Sequence, residues 1–246
     1  IKSSYISGRG MYVSVVSSMK PEEAISMMEG FISSIPEGEG YSCTIRTSSF
    51  KEGMNVVMKS AFHSVYLERL VLANVGEKGF SACSNCAFSV DELQEYASMI
   101  VAVEVLSRRM QERIREEQGL AYSTGCTIIA TSQYLVVRAY AGVSPENARI
   151  ADSLIVRCIE GLKENPPSAD EIELAKKRAL GRRLRRELSS DTQAYLNGVD
   201  WIVFGKVEEG KVLRDLIRMV TPDDVLKVAG GLSDRKNIIS VDIVPR

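Results

Sequence analysis

The chain has 246 residues, of which 45% are hydrophobic and 26% are charged, and its formal net charge is −1. A chain of this length can bury a sizeable core as one large domain or two small ones, and its composition is ordinary for a globular protein. The small net charge excludes a global field that would draw the protein to nucleic acid or to a membrane surface. We find no apolar run long enough to span a bilayer and no basic-then-apolar leader, and we expect neither a membrane nor a nucleic acid as partner.

The cysteines indicate a reducing compartment. Their number is odd, and they are scattered along the chain, mostly among apolar residues. This favours free thiols over a disulfide framework. We therefore expect a cytoplasmic protein. The five cysteines are Cys43, Cys83, Cys86, Cys126 and Cys158.

The first part of the chain predicts a strand, a helix and then three more strands. Residues 11–18 alternate in a way typical of a strand, and Pro21 is placed to open a helix that ends before Pro36. The apolar stretches after this helix are rich in β-branched and aromatic residues, which favours strands, although the pattern of residues 66–73 also fits a helix. These three predicted strands cover residues 54–58, 65–75 and 80–88.

A long amphipathic helix is predicted in the middle of the chain. Ser89 and Glu92 have the spacing of a capping box at its start, and Gly119 can end it in the left-handed conformation. Residues from 120 onward favour a strand, so Arg115 lies in the last helical turn and Tyr122 at the start of the strand. A guanidinium and a phenol are thereby placed at a helix-to-strand corner. The apolar stripe of the helix consists of Leu93, Tyr96, Ala97, Ile100, Val103, Leu106, Met110 and Ile114.

The remainder predicts a hairpin and a series of helices. Residues 121–130 and 134–143 form the hairpin, a helix then runs from Pro145 to about Lys163, and Ser168 to Glu171 forms a second capping box. Antiparallel runs of strands with helices between them predict an α+β fold, with a mostly antiparallel sheet covered by helices on one face. Thr221 to Asp224 is predicted to cap the helix that follows it. Further helices and a final strand are predicted at residues 192–204, 211–219, 222–230 and 237–244.

Candidate metal and nucleophile residues are few. His63 is the only histidine, and the zinc hydrolase motifs H-x-x-E-H and H-E-x-x-H each need two, so we expect no metal site in this chain. We interpret His63 as an ordinary polar residue of a strand or turn. Cys83 and Cys86 form a lone C-x-x-C inside a predicted strand, which favours structural thiols over a zinc or redox site.

A basic run comes after the second capping box, at residues 176–178 and 182–186. It lacks the interleaved aromatic residues that stack on nucleic-acid bases, and nearby glutamates dilute its charge. A solvated helix face is the first interpretation, and the wall of a cationic cavity is the second.

The pair of Arg115 and Tyr122 admits two interpretations from its chemistry. In one, Arg115 pairs with a nearby acid and Tyr122 packs under the helix. In the other, both side chains serve a site.

The motif around this pair resembles a known family. In residues 106–123, the positions Arg115, Gly119, Leu120, Ala121 and Tyr122 fit an R-x-x-x-G-L-A-Y corner. That corner is similar to the half lacking the zinc motif in the pitrilysin/insulinase family of zinc metallopeptidases, the inverzincins, which includes the processing peptidases. Residues 168–177 and 220–229 are also similar to this half. Residues 11–36 resemble the strand and helix that close the preceding half, so we treat 1–246 as one non-catalytic domain with a lead-in at 1–40.

The resemblance implies an α+β half-domain that packs against a zinc-bearing half around an extended peptide. In that arrangement Gly119 forms the corner, Tyr122 donates to the oxyanion that develops on the scissile carbonyl, and Arg115 anchors a main-chain carbonyl of the substrate. This chain lacks H-x-x-E-H, so it is not active alone. The zinc and the H-x-x-E-H motif are expected in a partner half, in a longer polypeptide or a separate subunit. The alternative is a catalytically inactive structural or peptide-binding subunit on the same fold.

Overall fold

The structure is a computed structural model that describes residues 11–36, 53–73, 90–130, 135–186, 188–204, 209–234 and 237–246. The helices are α1 Pro21–Ile32, α2 Val90–Met110, α3 Ala148–Glu164, α4 Ala169–Arg186, α5 Ser190–Phe204, α6 Glu209–Met219 and α7 Pro222–Leu232. The strands are β1 Asn55–Ser60, β2 Val65–Ala73, β3 Ala121–Ala130, β4 Leu135–Val143 and β5 Ile238–Pro245. A π-helical turn, Gln111–Glu116, continues α2, and a 3-10 turn, Pro145–Asn147, leads into α3.

The strands form one sheet in the order β1-β5-β2-β4-β3. Within the described sheet β1 and β5 run parallel, and the other neighbouring strands run antiparallel. Side chains of a strand alternate between the faces, and in β4 the residues of one face are buried while Val136, Arg138 and Tyr140 of the other face are half-buried. The α+β prediction, with a mostly antiparallel sheet covered by helices on one face, is confirmed.

The core centres on α2, which contacts β3, α3, α4, α6 and α7. The predicted apolar stripe is correct but too narrow, because Met99, Val101, Ala102 and Val105 are buried as well. Neighbours therefore surround the middle of the helix instead of covering one face. Each large side chain fully buried here, such as Leu106, contributes about 1.5–3 kcal/mol relative to leaving it in water.

Two helix starts show the reciprocal capping that the sequence predicts. The Ser168 N–H donates to the Glu171 carboxylate at 3.0 Å, and the Glu171 N–H donates to Ser168 Oγ at 3.2 Å. The Thr221 N–H donates to the Asp224 carboxylate at 3.0 Å, and the Asp224 N–H donates to Thr221 Oγ1 at 3.3 Å. Both pairs satisfy donors that a helix start leaves unpaired.

One buried charge lies where the alternation of β2 calls for an apolar residue. Arg69 is 4% exposed, between Leu67 and Val71 on the core face. Its Nε donates to Asp152 of α3 at 2.8 Å, and one terminal nitrogen donates to Asp242 of β5 at 2.7 Å. A buried guanidinium persists only when it is paired and hydrogen-bonded, and these bonds tie β2 to a helix and to the next strand.

The prediction of a strand at residues 11–18 is wrong, because no regular strand forms there. A strand is defined by its pairing, and the described sheet provides no neighbour for this stretch. Instead Val13 and Val15 join α1 around a cavity of about 360 Å³. The helix itself begins at Pro21 as predicted, but it has no buried residue.

Some sequence predictions fall outside the described residues: the cap at Ser89, the strand at 80–88 with its C-x-x-C pair, and the turn of the β3–β4 hairpin. No helix in the described part of the chain combines the length and the apolar composition needed to cross a bilayer.

Candidate functional site

The end of the central helix widens into a π-helical turn, Gln111–Glu116. The Glu117 N–H donates to the Glu112 carbonyl at 2.8 Å, five residues back instead of four. Ile114 remains fully buried in this turn, whereas Arg113 and Arg115 are exposed. Single π-helical turns are rare and are frequent at functional sites.

Gly119 then reverses the chain into β3. Its φ is +61°, in the left-handed region, and its N–H donates to the Arg115 carbonyl at 3.1 Å. The Leu120 N–H donates to the Ile114 carbonyl at 2.9 Å, so carbonyls that the helix end leaves open are satisfied at once. The backbone of Arg115 is thereby tied to the corner that leads to Tyr122.

Tyr122 occupies a β-bulge at the start of β3. Ala121 pairs with Val143 and Ser123 pairs with Gly142, so Tyr122 is an extra residue with no partner on β4. Ala121 is 8% exposed while the Tyr122 side chain is 74% exposed. Bulges commonly change the direction of a side chain next to an active site. This bulge leaves the phenol of Tyr122 exposed to solvent, next to the buried Ala121.

The structure does not show the arrangement in which Arg115 pairs with an acid and Tyr122 packs beneath the helix. Tyr122 is exposed, and among the described residues Arg115 makes no side-chain hydrogen bond or ion pair. Arg109, at the end of α2, is the contrast: it binds both Glu171 carboxylate oxygens at 2.9 and 3.1 Å. Arg109 therefore fastens α2 to α4, whereas among the described residues the exposed Arg115 side chain makes no such bond.

The residues that the structure describes offer no site for a zinc ion. No group of three or more histidine, cysteine, aspartate or glutamate side chains in the described ranges could hold a metal. His63 is exposed in the bend between β1 and β2. Cys126 and Cys158 are free, buried thiols, and burial raises the pKa of each, so neither supplies a thiolate.

The sequence predicts Arg115, Gly119 and Tyr122 as site residues, but it does not predict the π-helical turn or the bulge. A signal for the bulge is present in the strand itself. Strict alternation from the buried Ala121 would bury Ser123, yet Ser123 is exposed and Thr124 is 6% exposed. Two adjacent polar residues at the start of an apolar strand are the mark of that register change.

A comparison with family profiles shows which protein family this chain belongs to. The profile described as the peptidase M16 inactive domain matches residues 2–179. The chain belongs to this family. The assignment agrees with the resemblance to the zinc-lacking half of pitrilysin-like peptidases, and no curated protein matches the chain significantly.

Solved structures show the same fold at low identity. An M16 inactive-domain protein from Pseudomonas fluorescens has a TM-score of 0.73 and 13% identity, over 93% of this chain and 52% of that one. A protease from Helicobacter pylori has a TM-score of 0.73 and 14% identity, over 94% of this chain and 54% of that one. The periplasmic protease PqqL from Escherichia coli has a TM-score of 0.68 and 12% identity, over 94% of this chain and 25% of that one. The M16 inactive domain described here thus spans between a quarter and about half of the length of these proteins.

Proposed function

We propose that this M16 inactive domain is the substrate-binding half of a zinc metalloendopeptidase, which supplies Arg115 and Tyr122 to an active site completed elsewhere. An H-x-x-E-H half, in the same longer polypeptide or in a separate subunit, would hold the zinc. The observation that carries the proposal is the corner itself. A π-helical turn, a left-handed glycine and a bulge place two exposed side chains at the junction of a helix and a strand. Sites held on rigid elements position their groups most accurately.

The side chains of Tyr122 and Arg115 would act on different atoms of a bound peptide. The phenol of Tyr122 donates its O–H to the oxygen of the scissile carbonyl as negative charge develops there, so it stabilises the transition state more than the bound substrate. The guanidinium of Arg115 presents a planar fork of donors to a main-chain carbonyl and fixes the register of the peptide. Recognition through the main chain fits an extended peptide substrate of varied sequence.

The first test is native mass spectrometry of the protein purified from its own source. The expected result is an assembly or a longer chain that contains an H-x-x-E-H segment and a bound zinc ion. A lone chain without zinc would overturn the proposal and leave a structural or peptide-binding subunit.

The second test measures peptide turnover by that assembly with Tyr122→Phe and Arg115→Ala. Removing an oxyanion donor lowers kcat by about 10²–10³-fold, and we expect a loss of this order for Tyr122→Phe. Matched controls are Tyr195→Phe, because Tyr195 is 71% exposed on α5, and Arg149→Ala, because Arg149 is exposed on α3. Equal turnover in the site variants and their controls would refute the assigned roles.

A further inference from the structure

A second concave feature lies between α2, β3, α4, α5 and α6. It is a cavity of about 170 Å³. Neither Arg115 nor Tyr122 lines it, so a ligand site here is independent of the proposed function. The cavity lies beside the basic run of α4, the feature for which the sequence left a solvated face and a cationic cavity wall as alternatives.

More arginines than carboxylates line the cavity. Arg182, Arg183 and Arg186 of α4 line it, against one carboxylate, that of Glu104 on α2. The Glu104 side chain is 8% exposed and forms an ion pair with Arg182. Burial, and then the nearby charges of Arg186 and Arg185, lower the pKa of Arg182, as expected where cations are crowded.

The rest of the lining is mostly apolar. It includes the side chains of Ile100, Val103, Ile128, Leu196 and Ile217. A fully hydrated anion such as inorganic phosphate gains nothing from such walls, because apolar surface offers no hydrogen bonds to replace its water. If an apolar group is attached to the anion, that group covers the apolar walls, and the burial of apolar surface favours binding.

The size of the cavity limits that apolar group. An apolar cavity of about 150 Å³ is large enough to take up benzene. The space here, about 170 Å³, therefore accommodates one aromatic ring or one branched aliphatic side chain. The guanidinium groups of α4 provide planar forks of donors, whose geometry matches the two oxygens of a carboxylate.

We infer that this cavity binds a carboxylate carried on one aromatic or branched apolar group. The carboxylate pairs with the arginines of α4, and the apolar group lies among the isoleucine, valine and leucine side chains of the interior. Two kinds of molecule share this chemistry: a small free acid, and the C-terminal residue of a peptide.

The test is titration calorimetry on the full 246-residue chain with matched pairs of probes. The free-acid pair is 3-phenylpropionate and 3-phenylpropionamide. The peptide pair is N-acetyl-Gly-Gly-Phe with a free carboxylate and the same peptide as its amide. We expect each acid to bind at least about tenfold more tightly than its amide, which corresponds to about 1.4 kcal/mol. Tighter binding of 3-phenylpropionate than of the peptide identifies a small acid as the ligand, and the reverse order identifies a peptide C-terminus.

Variants of α4 separate this site from general attraction to a basic helix. Arg186→Gln should weaken binding of the acids at least about tenfold, because it removes a hydrogen bond from a charged group to the carboxylate. Arg185→Gln is the matched control, because Arg185 is exposed on the same helix and does not line the cavity. Ala179→Leu should abolish binding by filling the space.

Three results would overturn the inference. They are no binding of either acid, equal binding of acid and amide, or equal weakening by Arg185→Gln and Arg186→Gln. Because Arg186 is an exposed residue, its substitution keeps the test valid even if Ala179→Leu does not fold.

Discussion

Replacing Gly119 with alanine should destabilise the domain through backbone conformation alone. The φ of Gly119 is +61°, and a Cβ built there would meet no heavy atom within 4 Å. The cost of the substitution is therefore that of holding an L-residue in the left-handed region, about 1–2 kcal/mol. Asparagine tolerates this region better, so Gly119→Asn should cost less than Gly119→Ala.

A glycine-to-alanine substitution within a helix should have the opposite effect on the free energy of unfolding. Gly181 lies inside α4, and a Cβ there would also meet nothing within 4 Å. Gly181→Ala should stabilise the protein by about 0.5–1 kcal/mol, because alanine gives up less backbone freedom on folding than glycine. The two alanine variants should then differ by about 1.5–3 kcal/mol in the free energy of unfolding.

Urea denaturation of the full chain, followed by far-ultraviolet circular dichroism, measures this difference. The transition midpoint should fall for Gly119→Ala and rise for Gly181→Ala, with the slope of free energy against urea unchanged. A midpoint for Gly119→Ala equal to or above that of the parent would show that the corner does not hold a left-handed residue. The corner would then not hold Arg115 and Tyr122 in the placement on which the proposed function rests.

Two further predictions concern packing and pH. Gly142→Ala should cost about 1–3 kcal/mol in thermal or urea unfolding, because its Cβ would lie 3.1 Å from the ring of Tyr66 and 2.9 Å from Ser123 Oγ. Rotation of the serine alone cannot relieve the contact with the ring, so unchanged stability would contradict the close strand pairing seen here. For Glu171, the hydrogen bond from Arg109 holds the pKa below its ordinary value of 4.5, although burial opposes the shift. A depressed folded-state pKa contributes stability that is present above the unfolded value and is lost as the pH falls through the folded value. Glu171→Gln should therefore make urea stability less dependent on pH below about 4.5, and a variant with the parent's pH dependence would contradict this assignment.

Features set by local chemistry could be predicted from the sequence. Ser168 with Glu171 and Thr221 with Asp224 cap their helices as their spacing indicates, since a cap needs only residues three positions apart. Gly119 ends the long helical segment for an equally local reason, because its lack of a Cβ makes the left-handed conformation inexpensive.

Features that depend on distant partners could not be predicted. Residues 11–18 have the pattern of a strand but no neighbour in the described sheet, and the burial of Val101 and Val105 depends on helices far along the chain. The bulge at Tyr122 exists only relative to β4, so the adjacent polar residues Ser123 and Thr124 indicate a register change in β3 but do not identify the extra residue. The basic residues of α4 show the same limit: the sequence left two interpretations, and only the packing of α2 against α4 places some of them at a cavity.

The position of β5 in the sheet has a consequence for the order of folding. Strand β5 comes after every other described element in the sequence, yet it lies between β1 and β2 and is the described strand with which β1 pairs. Asn55 of β1 cannot find its partner Ser240 until the ribosome has synthesised nearly the whole segment described here. The hairpin of β3 and β4, with β2 beside it, can form earlier. Until β5 is synthesised, the backbone N–H and C=O groups of β1 lack their partner strand. Such late, long-range pairing slows folding and leaves a strand exposed to incorrect partners, so nascent chains that stop before residue 238 should be the species that aggregate or recruit chaperones.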